Sequence, residues 1–205
     1  VATEAQVANL AAATIGTEDR LISLSEDTFV ARTLKTVWDV ERRATIRDGV
    51  WNFAVKRAGL PAQEGVTAAE LYPWQFRYPL PADCLRFVEI LGLVARDAYA
   101  LEGKAILCSI SAPLYVRYAR DVVEPALWDE SFARAFAYRL ALAAGPRISG
   151  SAFDMAGAQA KYDDAIGKAK QIDSLENPPE EAEESSWITS RWGGDLYRRP
   201  GWEIV

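Results

Sequence analysis

Apolar and polar positions alternate along this chain with two different periods, and the switch between them divides it into segments. Residues 2–14 are polar and alanine-rich, with Val7, Leu10 and Ala11 at helical spacing and Gly16 where a stop is expected, so they predict a short first helix. After a loop over 17–25, Val30, Leu34, Val37, Glu41 and Ala44 trace one face of a long second helix, with Ser25 or Asp27 as its N-cap. Arg32, Asp39, Arg42, Arg43 and Arg47 form the opposite, polar face, and Gly49 marks the end. From Trp51 the period becomes two. Trp51, Phe53 and Val55 alternate with Asn52, Ala54 and Lys56, as in a half-buried strand.

A stretch over 59–73 punctuated by Gly and Pro leads to Phe76-Arg77-Tyr78-Pro79-Leu80-Pro81, whose prolines restrict it to an edge strand followed by a turn. Residues 85–91 continue extended, 99–101 and 105–108 flank Glu102-Gly103-Lys104 as a hairpin, and Leu114, Val116 and Tyr118 alternate as one more strand. Pro125 suits the first turn of a third helix, on which Trp128, Phe132, Phe136, Leu140 and Ala143 recur until Gly145-Pro146 breaks it. Ser151 opens a fourth, with Phe153, Ala156, Ala160, Ile166, Ala169 and Ile172 facing inward. The order predicts an α+β fold: a four-helix bundle formed by the N- and C-terminal helices, a small mainly antiparallel β-sheet inserted between helices 2 and 3, and an extended C-terminal arm. Residues 1–175 form the main domain, with helices in 1–49 and 125–175 and the β region in 50–124; residues 176–205 form an acidic spacer and the arm.

Composition narrows the function classes. At 205 residues, half of them hydrophobic and a quarter charged, the chain is expected to make one compact domain with appendages. No apolar run approaches the roughly 20 residues of a membrane span, and the start lacks a basic-then-apolar leader, which predicts a cytosolic protein with no membrane contact. Cys84 and Cys108 are too far apart for a metal knuckle or redox pair and read as buried thiols. The chain has no histidine, which removes Ser-His-Asp and Cys-His catalysis and histidine-ligated zinc. A net charge of −6 argues against tight nucleic-acid binding, which needs clustered Lys and Arg.

After Leu175 the composition changes to Glu176-Asn-Pro-Pro-Glu-Glu-Ala-Glu-Glu, followed by Trp187, Ile188, Trp192, Leu196, Tyr197, Trp202 and Ile204. So many aromatics suggest either a segment packed on its own domain or an arm that inserts into a neighbour, and the acidic, proline-containing spacer favours the arm.

Several stretches resemble the podovirus-type head-to-tail adaptors, the family that includes tail tubular protein A. Asp48-Gly-Val-Trp51-Asn52-Phe53-Ala54-Val-Lys56-Arg57-Ala58-Gly-Leu60 is similar to the family's helix end running into a W-N-F-A…R-A-L strand. Tyr78-Pro-Leu80-Pro81-Ala82-Asp83-Cys84-Leu85-Arg86 resembles its Y-x-L-P-x-D-C-L-R turn. Ala12-Ala-Thr-Ile15-Gly16, Glu102-Gly103, Trp128-Asp129-Glu-Ser-Phe132 and Ser186-Trp187-Ile188-Thr-Ser-Arg191 follow in the family's order, so the likeness spans nearly the whole chain. Each motif also has a structural explanation, with Trp51, Phe53, Tyr78, Pro81, Trp128 and Phe132 as core anchors or turn formers.

The resemblance implies a structural virion protein: a ring, dodecameric in the family pattern, seated beneath the portal and continuing the DNA channel, put together in the cytoplasm of a bacterial host. Trp187, Ile188, Arg191 and Trp192 would contact the portal protein, and the sheet region would face the next tail component, a nozzle or tail tube. DNA would only pass through. Neither cofactor nor metal nor catalytic residue is implied. Two alternatives stand beside it: another neck or head-completion protein that binds the portal, and a carboxylate-based hydrolase. For the latter, Asp163-Asp164, Asp129-Glu130 and the glutamate run are the candidate pairs, though adjacent acids on a helix point apart.

Overall fold

In the computed structural model, which describes residues 1–93 and 98–176, the chain is a mixed α/β protein of five helices and two three-stranded antiparallel sheets. The first helix, α1 (Glu4–Ile15), opens with a capping box: the Thr3 hydroxyl accepts from the Gln6 N–H, and the Gln6 side chain accepts from the Thr3 N–H. Gly16, at φ 86°, closes it in the left-handed conformation that glycine adopts without strain. Its buried face is Val7, Ala8, Ala11, Ala12 and Ile15.

Helix α2 (Phe29–Arg47) is capped by Thr28, whose hydroxyl accepts from the Ala31 N–H, and not by Ser25 or Asp27. Asp27 is instead paired with Arg32, and the Ser25 hydroxyl lies against that of Ser23. The buried stripe is rotated from the expected one. It runs through Val30, Leu34, Trp38, Thr45 and Ile46, and leaves Val37, Glu41 and Ala44 half-buried at its flank. Arg42, expected on the polar face, is buried, because the Asp121 carboxylate accepts from its Nε and Nη2 and satisfies the charge inside.

The strand expected from Trp51 begins later. Residues Asn52–Ala54 make a single 3-10 turn, and β1 is Val55–Leu60. Trp51 and Ala54, three apart, are both buried, which matches a three-residue turn and not a two-residue strand period. A short helix, α3 (Ala68–Leu71), carries a Thr67/Glu70 capping box. It is followed by β2 (Phe76–Pro79), β3 (Cys84–Ile90), β4 (Tyr99–Glu102), β5 (Ala105–Cys108) and β6 (Leu114–Arg120).

The β region divides in two, in the orders β1-β6-β3 and β2-β5-β4, where one sheet was expected. β6 and β5 are the central strands, each paired antiparallel on both sides. Pro79 lies on the edge strand β2, where a missing N–H costs no ladder bond on the open side. Gly103, at φ 59°, turns the β4–β5 hairpin. The two sheets share one apolar core of Leu60, Tyr78, Ile90, Ile106, Cys108, Leu114, Val116 and Tyr118.

Pro125 begins a separate 3-10 turn, Pro125–Leu127, and α4 (Glu130–Ser149) starts after it, with Asp129 as N-cap accepting from the Ser131 and Phe132 N–H groups. Gly145-Pro146 does not break the helix. Pro146 is exposed in its last turns, and Gly145 leaves room for the Phe153 ring, which a Cβ there would meet at 2.5 Å. Ala143 points outward.

The last helix, α5 (Met155–Glu176), follows a 3-10 turn at Gly150–Ala152, so Ser151 belongs to the connection. Its inward seam is Ala158, Tyr162, Ala165 and Ala169, at steps of four, three and four; the expected Ala156, Ala160 and Ile172 are exposed. Small residues at the seam let α5 approach α4 closely. Helix α4 is the hub, packed against α1, α2 and α5, and its buried residues join those of α1, α2 and Trp51, Ala54, Ala119 and Val122 in the second, larger core.

Candidate interaction surfaces

The anchor residues named from the sequence fall into two groups. Trp51, Phe53, Trp128 and Phe132 come together between α2, α4 and the turn before β1. Ring centroids lie 5.2 Å apart for Trp51–Phe132, 4.8 Å for Phe53–Phe132 and 5.6 Å for Trp128–Phe132. The edge-to-face geometry of these contacts adds roughly 0.5–1.5 kcal/mol per pair beyond area burial. Each buried indole also finds an acceptor: Trp51 donates to the Thr45 carbonyl at 3.1 Å and Trp128 to the Val122 carbonyl at 2.9 Å. Trp38 and Phe136 extend the cluster, 5.0 Å apart, and neither stood out in the sequence as an anchor of it. Both are explained by helical spacing onto α2 and α4.

Tyr78 and Pro81 lie elsewhere. Tyr78 is fully buried in the sheet core, with its hydroxyl donating to the Ile110 carbonyl at 2.5 Å, and burial pushes its phenol upward. Pro81 sits in the turn into β3, where its carbonyl accepts from the Cys84 N–H. None of these six residues forms an open site; the five aromatic ones pack in or against the two cores, and Pro81 shapes a turn. Cys108 is buried and Cys84 half-buried, with its thiol pushed up chiefly by desolvation. Trp187, Ile188, Arg191 and Trp192, named as portal contacts, lie outside the described residues, as does the acidic run that precedes them.

Three polar networks cross between elements. Arg139 on α4 donates to Glu41 on α2 at 2.6 Å, pairs with Asp48, and donates to the Tyr162 hydroxyl at 3.1 Å. Burial pulls its guanidinium downward, but the hydrogen bonds to the two carboxylates prevail and the net shift is upward. Arg42 bridges Asp39 and Asp121. Lys56 on β1 donates to Asp83 at 3.1 Å, and Tyr118 on β6 donates to the other Asp83 oxygen at 3.0 Å. In each network the carboxylates face a cation, so the arrangement ties elements together.

Of the carboxylates offered for hydrolysis, Asp129, Glu130, Asp163 and Asp164 each have a polar partner, Glu130 in the Val1 amino group, and the glutamate run beyond Glu176 lies outside the described residues. Asp129 caps α4, Asp163 accepts from Gln159, and Asp164 pairs with Lys168. Among the described residues no group of three or more His, Cys, Asp or Glu is placed to hold a metal, and no helix is long and apolar enough to cross a membrane.

A surface groove of about 560 Å³ runs along α4 between α1 and α5, which flank that helix and have little contact with each other. Val7 and Leu10 of α1, Ala133 and Tyr138 of α4, and Ala165 and Ile172 of α5 give it an apolar lining. Arg134, Lys161 and Lys168 supply cations, and Glu130 and Asp164 carboxylates. Nothing in the sequence flags it, because it arises from the gap between two helices that are far apart along the chain. Compared with known proteins, the chain matches no family model and no curated sequence.

Proposed function

We propose that the chain is a head-to-tail adaptor of a tailed bacteriophage or phage-derived particle. It forms a ring, dodecameric in the family pattern, that joins the portal to the tail and continues the DNA channel. In this reading the helices outside the β region act as a four-helix bundle, the sheets face a nozzle or tail tube, and the C-terminal arm contacts the portal through Trp187, Ile188, Arg191 and Trp192. The observation that carries it is the ordered series of adaptor-like motifs along nearly the whole sequence.

The position of those motifs supports it. The Trp51 motif lies at the joint between α2 and β1, the Pro81 turn between β2 and β3, and the Trp128 motif between β6 and α4. A ring subunit must hold its helical and β layers in fixed relation for neighbours to meet, and these joints fix that relation. The test is electron microscopy of the purified chain with and without a candidate portal protein. Rings stacked coaxially on portals are the expected result. A chain that neither forms rings nor associates with portal refutes the proposal.

A further inference from the structure

The groove along α4 has a floor that suits aromatic side chains and a rim that suits carboxylates. We propose that it is the docking site of the chain's own C-terminal segment, residues 180–192, with Trp187 and Ile188 on the apolar floor and the preceding glutamates against the basic rim.

The chemistry on both sides corresponds. Half-buried Leu10 and Tyr138 and exposed Ile172 offer apolar surface above the buried Val7 and Ala165, while Arg134 and Lys161 at the rim have no ion-pair partner among the described residues. Lys168 is shared with Asp164 at 2.7 Å. In a chain of net charge −6 this is a locally cationic surface. Residues 180–192 read Glu-Glu-Ala-Glu-Glu-Ser-Ser-Trp-Ile-Thr-Ser-Arg-Trp, four acids followed by three large apolar side chains.

The connection favours the same chain over a separate partner. Helix α5 ends at Glu176, just beyond Ile172 at the groove's end. From Ile172 back to Lys161 is 172 − 161 = 11 residues, about 16 Å along a helix. The ten residues 177–186 can span up to roughly 33–36 Å when extended, more than the roughly 22 Å from Glu176 back to Lys161 along the helix, so Trp187 can reach the groove. A tether this short raises the effective concentration of the segment to about the millimolar range, so even a weak contact is populated. The inference does not depend on the adaptor reading. Where both hold, the groove covers Trp187 and Ile188 until the portal competes for them.

The test replaces Trp187 with p-benzoylphenylalanine in the full chain and irradiates it at two concentrations. The expected products are chains of monomer mass cross-linked to groove peptides around Leu10, Tyr138 or Lys161, in a yield independent of concentration. Adding Arg134→Glu and Lys161→Glu, both at exposed positions, is expected to lower that yield about tenfold, equivalent to roughly 1.4 kcal/mol, with the melting temperature unchanged. Should the reversal lower the melting temperature, Arg134→Gln with Lys161→Gln serves with the same direction of effect. Cross-links outside the groove, none at all, a yield indifferent to the rim charges, or concentration-dependent dimers that reveal a second copy as occupant would each overturn the proposal. Ring formation on portals is scored separately, so failure of one reading leaves the other standing.

Discussion

Trp51 illustrates how much one side chain settles here. Its indole is buried, donates to the Thr45 carbonyl, stacks with Phe53 and meets Phe132 edge-on, so it fastens the end of α2 to the start of the β region and to α4. Trp51→Ala is expected to cost about 3–5 kcal/mol, as large aromatic truncations in cores do, and thermal denaturation would read it; an unchanged melting temperature refutes the anchor role. The Lys56–Asp83–Tyr118 network is a residue-scale prediction of another kind. Burial pushes the Asp83 carboxyl up, but hydrogen bonds from Lys56 and Tyr118 outweigh it, and its folded value lies below the ordinary 3.8. A carboxylate with a depressed folded value contributes stability that is complete above the unfolded value and is lost as pH falls through the folded one. Lys56, held above its usual 10.5 chiefly by its hydrogen bond to Asp83, gives the opposite limb: its contribution is present below that value and lost as pH rises through the folded one. Asp83→Asn is therefore expected to flatten the decline in melting temperature below about pH 4. Parallel declines in variant and parent would dismiss the network as a source of acid sensitivity.

At the scale of elements, close approach of α4 and α5 rests on small residues, and Gly145 makes room for the Phe153 ring of the connection between them. A Cβ at that position would lie 2.5 Å from the Phe153 ring, so Gly145→Ala is expected to destabilise by about 1–3 kcal/mol despite alanine's better helix propensity. Phe153→Ala in the same background should recover part of the loss. Equal destabilisation by Gly145→Ala with and without Phe153, measured in urea, would locate the strain elsewhere.

The same helices show what the sequence disclosed and what it withheld. Hydrophobic periodicity and glycine stops disclosed the order of the long helices, the extended stretches around Tyr78, Ile90, Ile106 and Val116, and the hairpin turn at Gly103. The rotation of α5 was hidden because alanines occur on several of its faces: Ala156 and Ala160 look as apolar as Ala158 and Ala165, and only contact with α4 distinguishes them. Arg42 looks like a surface cation in the sequence because its partner, Asp121, is distant along the chain. Gly145-Pro146 signals a break locally, yet the helix runs on to Ser149, with Gly145 packed against Phe153. The division of the strands into two sheets depends on pairing partners, which alternation alone does not specify. For the proposed docking site the sequence shows the composition of the proposed occupant but not the groove, since a gap between α1 and α5 exists only after folding.

For the whole molecule, charge is the property that bears most directly on the proposed role. A subunit that lines a DNA channel must let duplex pass without holding it, and retention grows with each phosphate neutralised by Lys or Arg. This chain carries 29 acidic and 23 basic residues, and seven of its cations are paired with carboxylates of the same chain among the described residues. Arg32 pairs with Asp27, Arg42 and Arg43 share Asp121, Arg117 pairs with Glu89, and Arg139 holds Glu41 and Asp48. On the outer face of α2, the most basic helix surface, Lys35 and Arg47 remain without a carboxylate partner among the described residues, too few to track a phosphate backbone. The assembled ring is therefore expected to show no retention of duplex DNA at about 0.15 M salt, where the Debye length is about 8 Å and only clustered cations act together. A filter-binding or mobility-shift titration across salt concentrations measures this. Retention that persists at that ionic strength and weakens steeply with added salt would mean that assembly gathers the scattered cations into a continuous basic surface, and the channel would then grip the DNA it is proposed to pass.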